Sequence, residues 1–271
     1  MAGKLRVQYF VEPDSAALAA RAAQHFVELT EEAVARNGRA RVAISGGSTP
    51  KAAFRLLADP AKPWFARMPW GKLDLYWVDE RCVPPDHEDS NYRMTREAML
   101  DHVPLKPEQI HRMEGELEPA IAAARYEAEL RNGFRLEGAE RPCFDLIQLG
   151  MGPDGHTASL FPHSAAIHEM SRLAVANHVN NKDAWRLTLT WPVINQGASV
   201  FFLIGGTDKA AVLKEVMEGP RDVERLPSQI IQPASGILTL LLDKAAAALL
   251  PATNGQGRGL ITQDEDTQDR R

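Results

Sequence analysis

Short apolar runs alternate along the chain with longer stretches in which apolar residues recur every three or four positions. The runs predict buried strands, and the longer spacing predicts helices with one buried face. The predicted strands cover residues 5–11, 40–44, 73–78, 144–149, 173–178, 185–190, 200–204 and 237–242. The predicted helices are a long one between Asp14 and Gly38, those near residues 50–58, 92–100, 118–131 and 243–250, and one that opens at Lys209.

The order of these elements predicts the fold class. Strand and helix follow one another almost throughout, which favours a mostly parallel sheet with helices on both faces. The expected fold is therefore α/β, a three-layer, Rossmann-like arrangement. From Pro251 onward the chain is polar, rich in Gly and Gln, and charged. We expect one α/β domain over residues 1–250 and a disordered tail over residues 251–271.

Composition narrows the function classes. The chain has 31 basic and 36 acidic residues, a net charge of -5 spread along its length, so it lacks the basic stripe of a nucleic-acid-binding protein. No run of about 18 apolar residues predicts a membrane span, and the N-terminus has no apolar leader. Cys82 and Cys143 are far apart, in no spacing typical of a disulfide framework or of metal ligands. We expect a cytoplasmic protein.

Four predicted strands, which end near residues 44, 78, 149 and 204, are each followed by a loop rich in glycine or charge. In an open parallel sheet such loops share the carboxyl edge, where ligands bind. The candidate functional residues are therefore sought in these four loops.

The first of these loops reads Ser45-Gly46-Gly47-Ser48-Thr49-Pro50. Pro50 is expected at the first helical position with Thr49 as the N-cap. Glycines at a helix start let backbone N–H groups approach an anion, and the hydroxyl groups add donors. The loop lacks the Gly-Lys-Ser/Thr of a nucleotide-binding loop, so a sugar phosphate is favoured over a nucleoside triphosphate. The alternative is an ordinary tight turn with a helix cap.

Three cations are candidates for an anionic ligand. Lys209 follows Gly205-Gly206 at a predicted helix start. Arg81 lies two residues after Asp79, so both side chains are expected to point into one cleft if the backbone is extended. Arg186 precedes the run Leu187-Thr188-Leu189-Thr190 and is a weaker candidate for the same pocket. The alternative for each is a solvated surface charge.

The central loop reads Gly150-Met151-Gly152-Pro153-Asp154-Gly155-His156. It matches G-x-G-x-x-G, but we reject a dinucleotide site because Pro162 breaks the following helix and Asp154 would oppose a pyrophosphate. Histidine has a reference pKa near 6.5, so His156 can act as a general base near neutral pH. The alternative is a structural histidine bonded to backbone.

A metal site is not expected. His156, His163 and His168 are spaced by seven and five residues, which does not match a helical metal-binding pair, and no cysteine joins them. The sequence contains no G-x-S-x-G motif, the turn that presents a serine nucleophile. We predict neither a metal ion nor an organic cofactor.

Four motifs together resemble the 6-phosphogluconolactonase family over residues 8–250. They are Ser45-Gly46-Gly47-Ser48-Thr49-Pro50, Asp79-Glu80-Arg81 with Ser90-Asn91-Tyr92, the stretch from Gly150 to Pro162, and Arg186-Leu187-Thr188-Leu189-Thr190 with Lys209-Ala210. The resemblance implies a sugar-phosphate isomerase-like fold and hydrolysis of 6-phospho-D-glucono-1,5-lactone.

The resemblance also implies roles for the candidate residues. His156 would be the general base, and Asp154 would orient it or shape the loop. The loop from Ser45 to Thr49, with Lys209 and Arg186, would bind the phosphate. Arg81 would contact the phosphate or the lactone end.

Two departures and two alternatives accompany the resemblance. The related glucosamine-6-phosphate deaminases carry a glutamate seven residues after the loop aspartate, where this chain has Phe161. Leu240 stands where the lactonases carry a tryptophan. A deaminase-like isomerase and a non-catalytic sugar-phosphate sensor stay open as alternatives. The expected partner is a small sugar-phosphate lactone; we also consider transient association with glucose-6-phosphate dehydrogenase, and we expect a monomer or weak dimer.

Overall fold

The computed structural model describes residues 5–179, 183–235, 237–251 and 258–263. Its strands are β1 (Leu5–Glu12), β2 (Ala40–Ile44), β3 (Leu73–Trp77), β4 (Asp79–Arg81), β5 (Ile110–His111), β6 (Leu146–Leu149), β7 (Ala174–Val179), β8 (Ala184–Leu189), β9 (Val200–Ile204), β10 (Ile237–Asp243) and β11 (Arg258–Gln263). Its α-helices are α1 (Ser15–Asn37), α2 (Ser48–Leu57), α3 (Pro63–Arg67), α4 (Asn91–Ala98), α5 (Pro119–Phe134), α6 (Trp191–Ile194) and α7 (Ala210–Glu218).

Eight strands form the main sheet in the order β11-β1-β10-β9-β6-β2-β3-β5. Every pair is parallel except β1 and β11. Parallel strands are buried on both faces and read as continuous apolar runs. That is the pattern of Val200-Phe201-Phe202-Leu203-Ile204, which is buried throughout. The prediction of a mostly parallel α/β sheet is confirmed.

The side chains of the sheet feed two cores, one on each face. On β9, Phe202 contributes to the first core and Phe201 to the second, because successive residues point to opposite faces. Residues of α5 and α7 complete the first core, and residues of α1, α2 and α4 complete the second. Helices therefore cover both faces and give the three layers that the sequence pattern predicts.

A second sheet of three antiparallel strands, in the order β4-β8-β7, lies beyond the end of β3. The junction is Val78, whose carbonyl accepts from the N–H of Leu189 at 2.7 Å. The charged triplet Asp79-Glu80-Arg81 thereby becomes β4 instead of a loop. Residues 173–178 and 185–190 are strands, as predicted, but they belong to this separate sheet.

The long helix has the ends that its sequence predicts. Oδ1 of Asp14 accepts from the N–H of Ala17 at 2.8 Å, which satisfies one of the free amides of the first turn. Gly38 ends the helix at φ +75°, where an L side chain would be strained. No helix in the described part of the chain combines the length and the apolar character needed to cross a membrane.

The start of α2 differs from the prediction. The helix begins at Ser48, with Gly47 as the N-cap, so Thr49 is not the cap and Pro50 is the third helical residue. Gly47 adopts φ +118°, a region open to glycine, and this lets the helix begin two residues earlier. Proline is tolerated there because the first-turn amides have no partner within the helix.

The C-terminal region differs as well. The helix predicted over residues 243–250 is a series of turns, because a segment this short before Pro251 nucleates a helix poorly. The prediction of a disordered tail is wrong for Arg258–Gln263, which pairs with β1 as an antiparallel edge strand. Backbone hydrogen bonding to an open sheet edge accounts for this strand, although the sequence around it is polar. Residues 252–257 and 264–271 lie outside the described residues.

Candidate active site

The direction of strand addition reverses beside β2. After β2 the chain adds β3 and β5 on one side of it, and β6, β9 and β10 on the other. Ligands of open α/β sheets bind at the carboxyl ends of strands at such a reversal. A cleft of about 190 Å³ opens there. Its lining residues are Ser45, Gly46, Gly47, Asp79, Arg81, Asn91, Gly150, Met151, Gly152, His156 and Ala158.

Half of the predicted site residues line this cleft. Ser45, Gly46 and Gly47 come from the first glycine loop, Arg81 from β4 and His156 from the central loop. The alternate residues Asp79 and Arg81 both face the cleft, as their spacing predicts. Of the other predicted residues, Ser48 and Thr49 form the first turn of α2, beside the cleft.

Asp154 and His156 form a hydrogen-bonded pair. Oδ1 of Asp154 contacts Nδ1 of His156 and also accepts from the backbone N–H of His156 at 3.2 Å. Burial opposes the negative charge of Asp154, but the hydrogen bond and charge of His156 outweigh it and lower the pKa of Asp154 to about 2. An ionised carboxylate only accepts, so the Nδ1 atom of His156 carries the proton. In the neutral imidazole the other ring nitrogen, Nε2, is then the one that can accept a proton.

Two neighbours fix the plane of the His156 ring. The ring of Phe161 stacks on it, with centroids 4.1 Å apart and an interplanar angle of 24°. On another side, a Cβ placed on Gly152 would overlap atoms Nδ1 and Cε1 of the ring. Glycine at position 152 is therefore what allows the ring to lie against the backbone beside Asp154.

Hydrogen bonds within the central loop and to Ser228 hold the rest of its backbone in place. The hydroxyl of Thr157 donates to the carbonyl of Gly150 at 2.8 Å. The carbonyl of Gly155 accepts from both the N–H and the hydroxyl of Ser228, at 2.9 and 2.8 Å. Ala158 lies at φ +48°, an uncommon conformation for a residue with a side chain. A loop held at both ends can sustain such strain next to a site.

Arg81 and Arg186 are direct cross-strand partners on β4 and β8. Their side chains therefore share one face of the second sheet, the face of Asp79 that opens on the cleft. Burial lowers the pKa of Arg186, and the charge of Arg81 lowers it further. Neither guanidinium forms an ion pair with a described carboxylate, although Nη1 of Arg81 donates to the carbonyl of Asp89. Two adjacent, partly desolvated cations favour an anion between them.

Glu80, the middle residue of β4, has a structural role that the sequence pattern did not reveal. Its buried carboxylate accepts from the N–H groups of Arg81, Asn91 and Tyr92 at 2.7 to 2.8 Å, and from the hydroxyl of Ser90 at 3.0 Å. Burial raises the pKa of Glu80, and the negative charge of Asp79 raises it further. The backbone hydrogen bonds act in the opposite direction and lower it. Glu80 thus anchors the N-terminus of α4 against β4.

That anchor delivers Asn91, a cleft residue that sequence reasoning missed. Nδ2 of Asn91 donates to the carbonyl of Asp79 at 3.0 Å, and a Cβ on Gly46 would overlap its Oδ1 atom. The carboxylate of Asp79 accepts from the hydroxyl of Ser159 at 2.8 Å. The N-cap residue Ser90 marks the start of α4 in the sequence. The approach of Asn91 to Gly46 could not be predicted, because it joins segments that are distant in sequence.

Lys209 is not among the residues that line the cleft. Its Nζ atom lies 2.6 Å from Oδ2 of Asp208. In the loop before it, the N–H of Gly206 donates to the carboxylate of Asp243 at 3.0 Å. Its assignment as a phosphate contact stays a prediction. The described residues contain no group of three or more His, Cys, Asp or Glu side chains placed to hold a metal ion.

The fold and the cleft define an α/β protein with a small polar cleft at the switch point of a parallel sheet, lined by His156 and Arg81, with their partners Asp154 and Arg186 beside them. Residues 13–240 match the family model described as glucosamine-6-phosphate isomerases/6-phosphogluconolactonase, and the chain belongs to this family.

Among its relatives is the 6-phosphogluconolactonase of a Nostoc species, 42% identical over 242 residues, which cover 89% of this chain and 97% of the relative. The Synechocystis enzyme of the same name is 42% identical over 222 residues, covering 81% and 89% of the two chains. The structure of 6-phosphogluconolactonase from Trypanosoma cruzi is similar with a TM-score of 0.78 and 30% identity, covering 90% of this chain and 97% of that one.

Proposed function

We propose that this protein hydrolyses 6-phospho-D-glucono-1,5-lactone to 6-phospho-D-gluconate in the oxidative pentose phosphate pathway. The names of its relatives support the reaction. The observation that carries the proposal is the orientation of His156, whose Nδ1 is held by Asp154 while the ring lines the cleft. A lactone is an activated ester, so a positioned water, one base and a donor for the developing oxyanion suffice.

The phosphate is the handle by which the substrate is held. Arg186 and Arg81 present two guanidinium groups that lack a carboxylate partner among the described residues. The loop from Ser45 to Thr49 adds backbone N–H groups and hydroxyls at the start of α2, where the helix dipole favours an anion. Binding energy from this remote group then orients the lactone carbon against His156. Lys209 would join the two arginines and the loop in holding the phosphate when substrate binds.

His156 acts as the general base in the first step. Its Nε2 atom takes a proton from the attacking water while the water oxygen bonds to C1, and the carbonyl oxygen becomes an oxyanion. Asp154 stabilises the imidazolium that forms, because its low pKa keeps the carboxylate charged throughout. Positioned general-base catalysis of this kind contributes typically about 10² to 10⁴ in rate.

Collapse of the tetrahedral intermediate completes the reaction. The bond between C1 and the ring oxygen breaks, and protonated His156 returns its proton to the departing oxygen, which becomes the C5 hydroxyl. The product acid ionises and releases the proton that an assay can follow. The base is regenerated, so no covalent enzyme intermediate is needed.

A deaminase-like isomerase fits the cleft less well. At the position where the deaminases carry a glutamate, Phe161 is buried and stacked on the ring of His156. An aromatic ring cannot exchange protons with the substrate. It instead fixes the plane of the imidazole, as a single positioned base for hydrolysis requires.

The test is lactone hydrolysis, with the lactone generated in place from glucose 6-phosphate and acid release followed in wild type, His156→Ala and His168→Ala. His168 is a suitable control because it is largely exposed and pairs with Glu224 at 3.1 Å. We expect His156→Ala to lose at least about 10²-fold and His168→Ala to keep its activity. A wild-type protein that binds the phosphosugar without exceeding the spontaneous rate would instead be a sensor.

Cytoplasmic location and transient association with glucose-6-phosphate dehydrogenase stay predictions. The proposed reaction favours the association, because the substrate is the product of that dehydrogenase. Co-elution of the two purified enzymes, with and without turnover, would test it.

A further inference from the structure

Strands β2 and β6 separate just before the cleft. Their pairing ends at the rung between Ala43 and Ile147, so Ser45 has no strand partner on that side. A side chain takes the place of the missing rung: Oε1 of Gln148 accepts from the N–H of Ser45 at 3.2 Å. Gln148 thus bridges the two strands where their divergence opens the site.

The carboxamide of Gln148 is fully engaged. Its Nε2 atom donates to the hydroxyl oxygen of Ser45 at 2.8 Å and to the carbonyl of Leu149 at 3.1 Å. The reversed amide would set its NH₂ group against the N–H of Ser45, donor against donor, so this network fixes the orientation. Gln148 is only 1% exposed, and a buried amide is tolerated when its hydrogen bonds are made.

This arrangement decides what Ser45 can offer the cleft. Because the Ser45 oxygen accepts from Gln148, its own hydrogen is left for a second acceptor. The backbone of Ser45 is held by the same amide, which places the following Gly46 and Gly47 at the start of α2. The same amide therefore positions both the Ser45 hydroxyl and the backbone N–H groups of the loop.

We infer that Gln148 is a positioning residue, which acts through Ser45 to aim the donors of the first glycine loop at the substrate phosphate. The inference rests on the proposed function. It differs from a purely structural role in one respect: loss of the Gln148 amide weakens the binding of phosphorylated ligand and leaves turnover of bound substrate nearly intact.

Gln148→Leu tests this, with Gln109→Leu as the matched control. Gln109 is another buried glutamine, whose amide bonds to backbone at Lys106, Trp70 and Leu73, away from the cleft. For Gln148→Leu we expect the KM for the lactone, and the calorimetric Kd for 6-phosphogluconate, to rise about tenfold. We expect kcat to stay within about threefold. Gln109→Leu should lower thermal stability without changing either ligand constant.

Two further variants keep the test decisive if Gln148→Leu folds poorly. In Gln148→Glu the carboxylate accepts the Ser45 hydroxyl hydrogen and turns it from the cleft, so phosphate affinity should fall and partly recover as acid protonates the new carboxyl. The second variant is the double variant with Ser45→Ala, used in a double-mutant cycle. Its loss of affinity for 6-phosphogluconate should be smaller than the product of the losses in the two single variants.

Three results would overturn the inference: unchanged Kd in Gln148→Leu, an equal change in Gln109→Leu, or fully multiplicative losses in the cycle. Binding is measured without turnover, so these outcomes are separate from failure of the proposed function. That failure would appear as wild-type protein with no catalysed hydrolysis.

Discussion

Gly152→Ala should disable the proposed base without changing any group that takes part in the chemistry. The added Cβ would overlap ring atoms Nδ1 and Cε1 of His156 and lie 2.7 Å from Oδ1 of Asp154, whereas ordinary Cβ contacts begin near 3.4 Å. The φ of Gly152 is not in the left-handed region, so the conflict is with the side chains of His156 and Asp154 and not with the backbone. The ring has to move by about 1 Å or more, and a misplacement of that size can cost about 10²-fold in rate.

The matched control lies two residues earlier. A Cβ on Gly150 would meet only the Ser45 hydroxyl oxygen, at 3.8 Å, an ordinary contact. We expect Gly152→Ala to lower kcat about 10²-fold with a nearly normal KM, and Gly150→Ala to stay within about threefold of wild type in both. The assay is acid release at saturating lactone, with thermal melting to confirm folding. A Gly152→Ala enzyme with normal kcat would show that the ring position of His156 is not critical, and would refute the reasoning.

Three other changes have separate expected outcomes. Asp154→Asn should lower kcat by about 10²-fold or more, because an amide can donate to Nδ1 of His156 and leave the proton on Nε2; pH-stat kinetics measures the loss. Arg186→Met should raise the KM for the lactone at least about tenfold with little change in kcat, because it removes one phosphate partner. His25→Leu should flatten the fall of stability in acid. Burial, with the charge of Arg21, lowers the pKa of His25 to about 4; the unfolded chain then binds a proton more readily, and about 3 kcal/mol is lost as pH falls from 6.5 to 4. Urea unfolding at several pH values measures it.

Each of these has its own control and contradiction. Arg141→Met removes an exposed arginine that donates to the carbonyl of Met170, and it should leave KM unchanged. Equal effects at Arg141 and Arg186 would point to general electrostatics instead of a phosphate site. Stability that falls equally steeply in His25→Leu would assign the acid sensitivity to other groups. An Asp154→Asn enzyme with full kcat would mean that His156 needs no fixed tautomer.

The sequence predicted the fold well wherever structure follows from local pattern. The buried run from Val200 to Ile204 and the capped helix that follows Asp14 appear as expected, because burial and capping are encoded within a few residues. The second sheet was not predicted, since strands β7 and β8 look like any other strands and their partner is the short charged β4. Neither periodicity nor propensity encodes which strands pair. The edge strand at Arg258–Gln263 was missed for the same reason.

The candidate site shows the same division. Ser45, Arg81 and His156 were found because each follows the end of a buried strand of the main sheet, and the carboxyl ends of parallel strands share one edge. Asn91 and Gln148 were missed, because their contacts with Gly46 and Ser45 join segments about 45 and 103 residues apart. Nothing in a single sequence marks a buried glutamine as the partner of a particular serine.

The triplet Asp79-Glu80-Arg81 shows how the short strand β4 gives adjacent charges opposite uses. Because side chains alternate across a strand, Asp79 and Arg81 face the cleft, whereas Glu80 points away and anchors α4. A shift of one residue in the pairing of β4 with β8 would exchange these positions, burying Arg81 where Glu80 accepts its hydrogen bonds. In the observed register Asp79 pairs with Thr188 and Arg81 pairs with Arg186, which places a second cation beside Arg81. The anion site and the anchor of the helix that supplies Asn91 consequently depend on the same register.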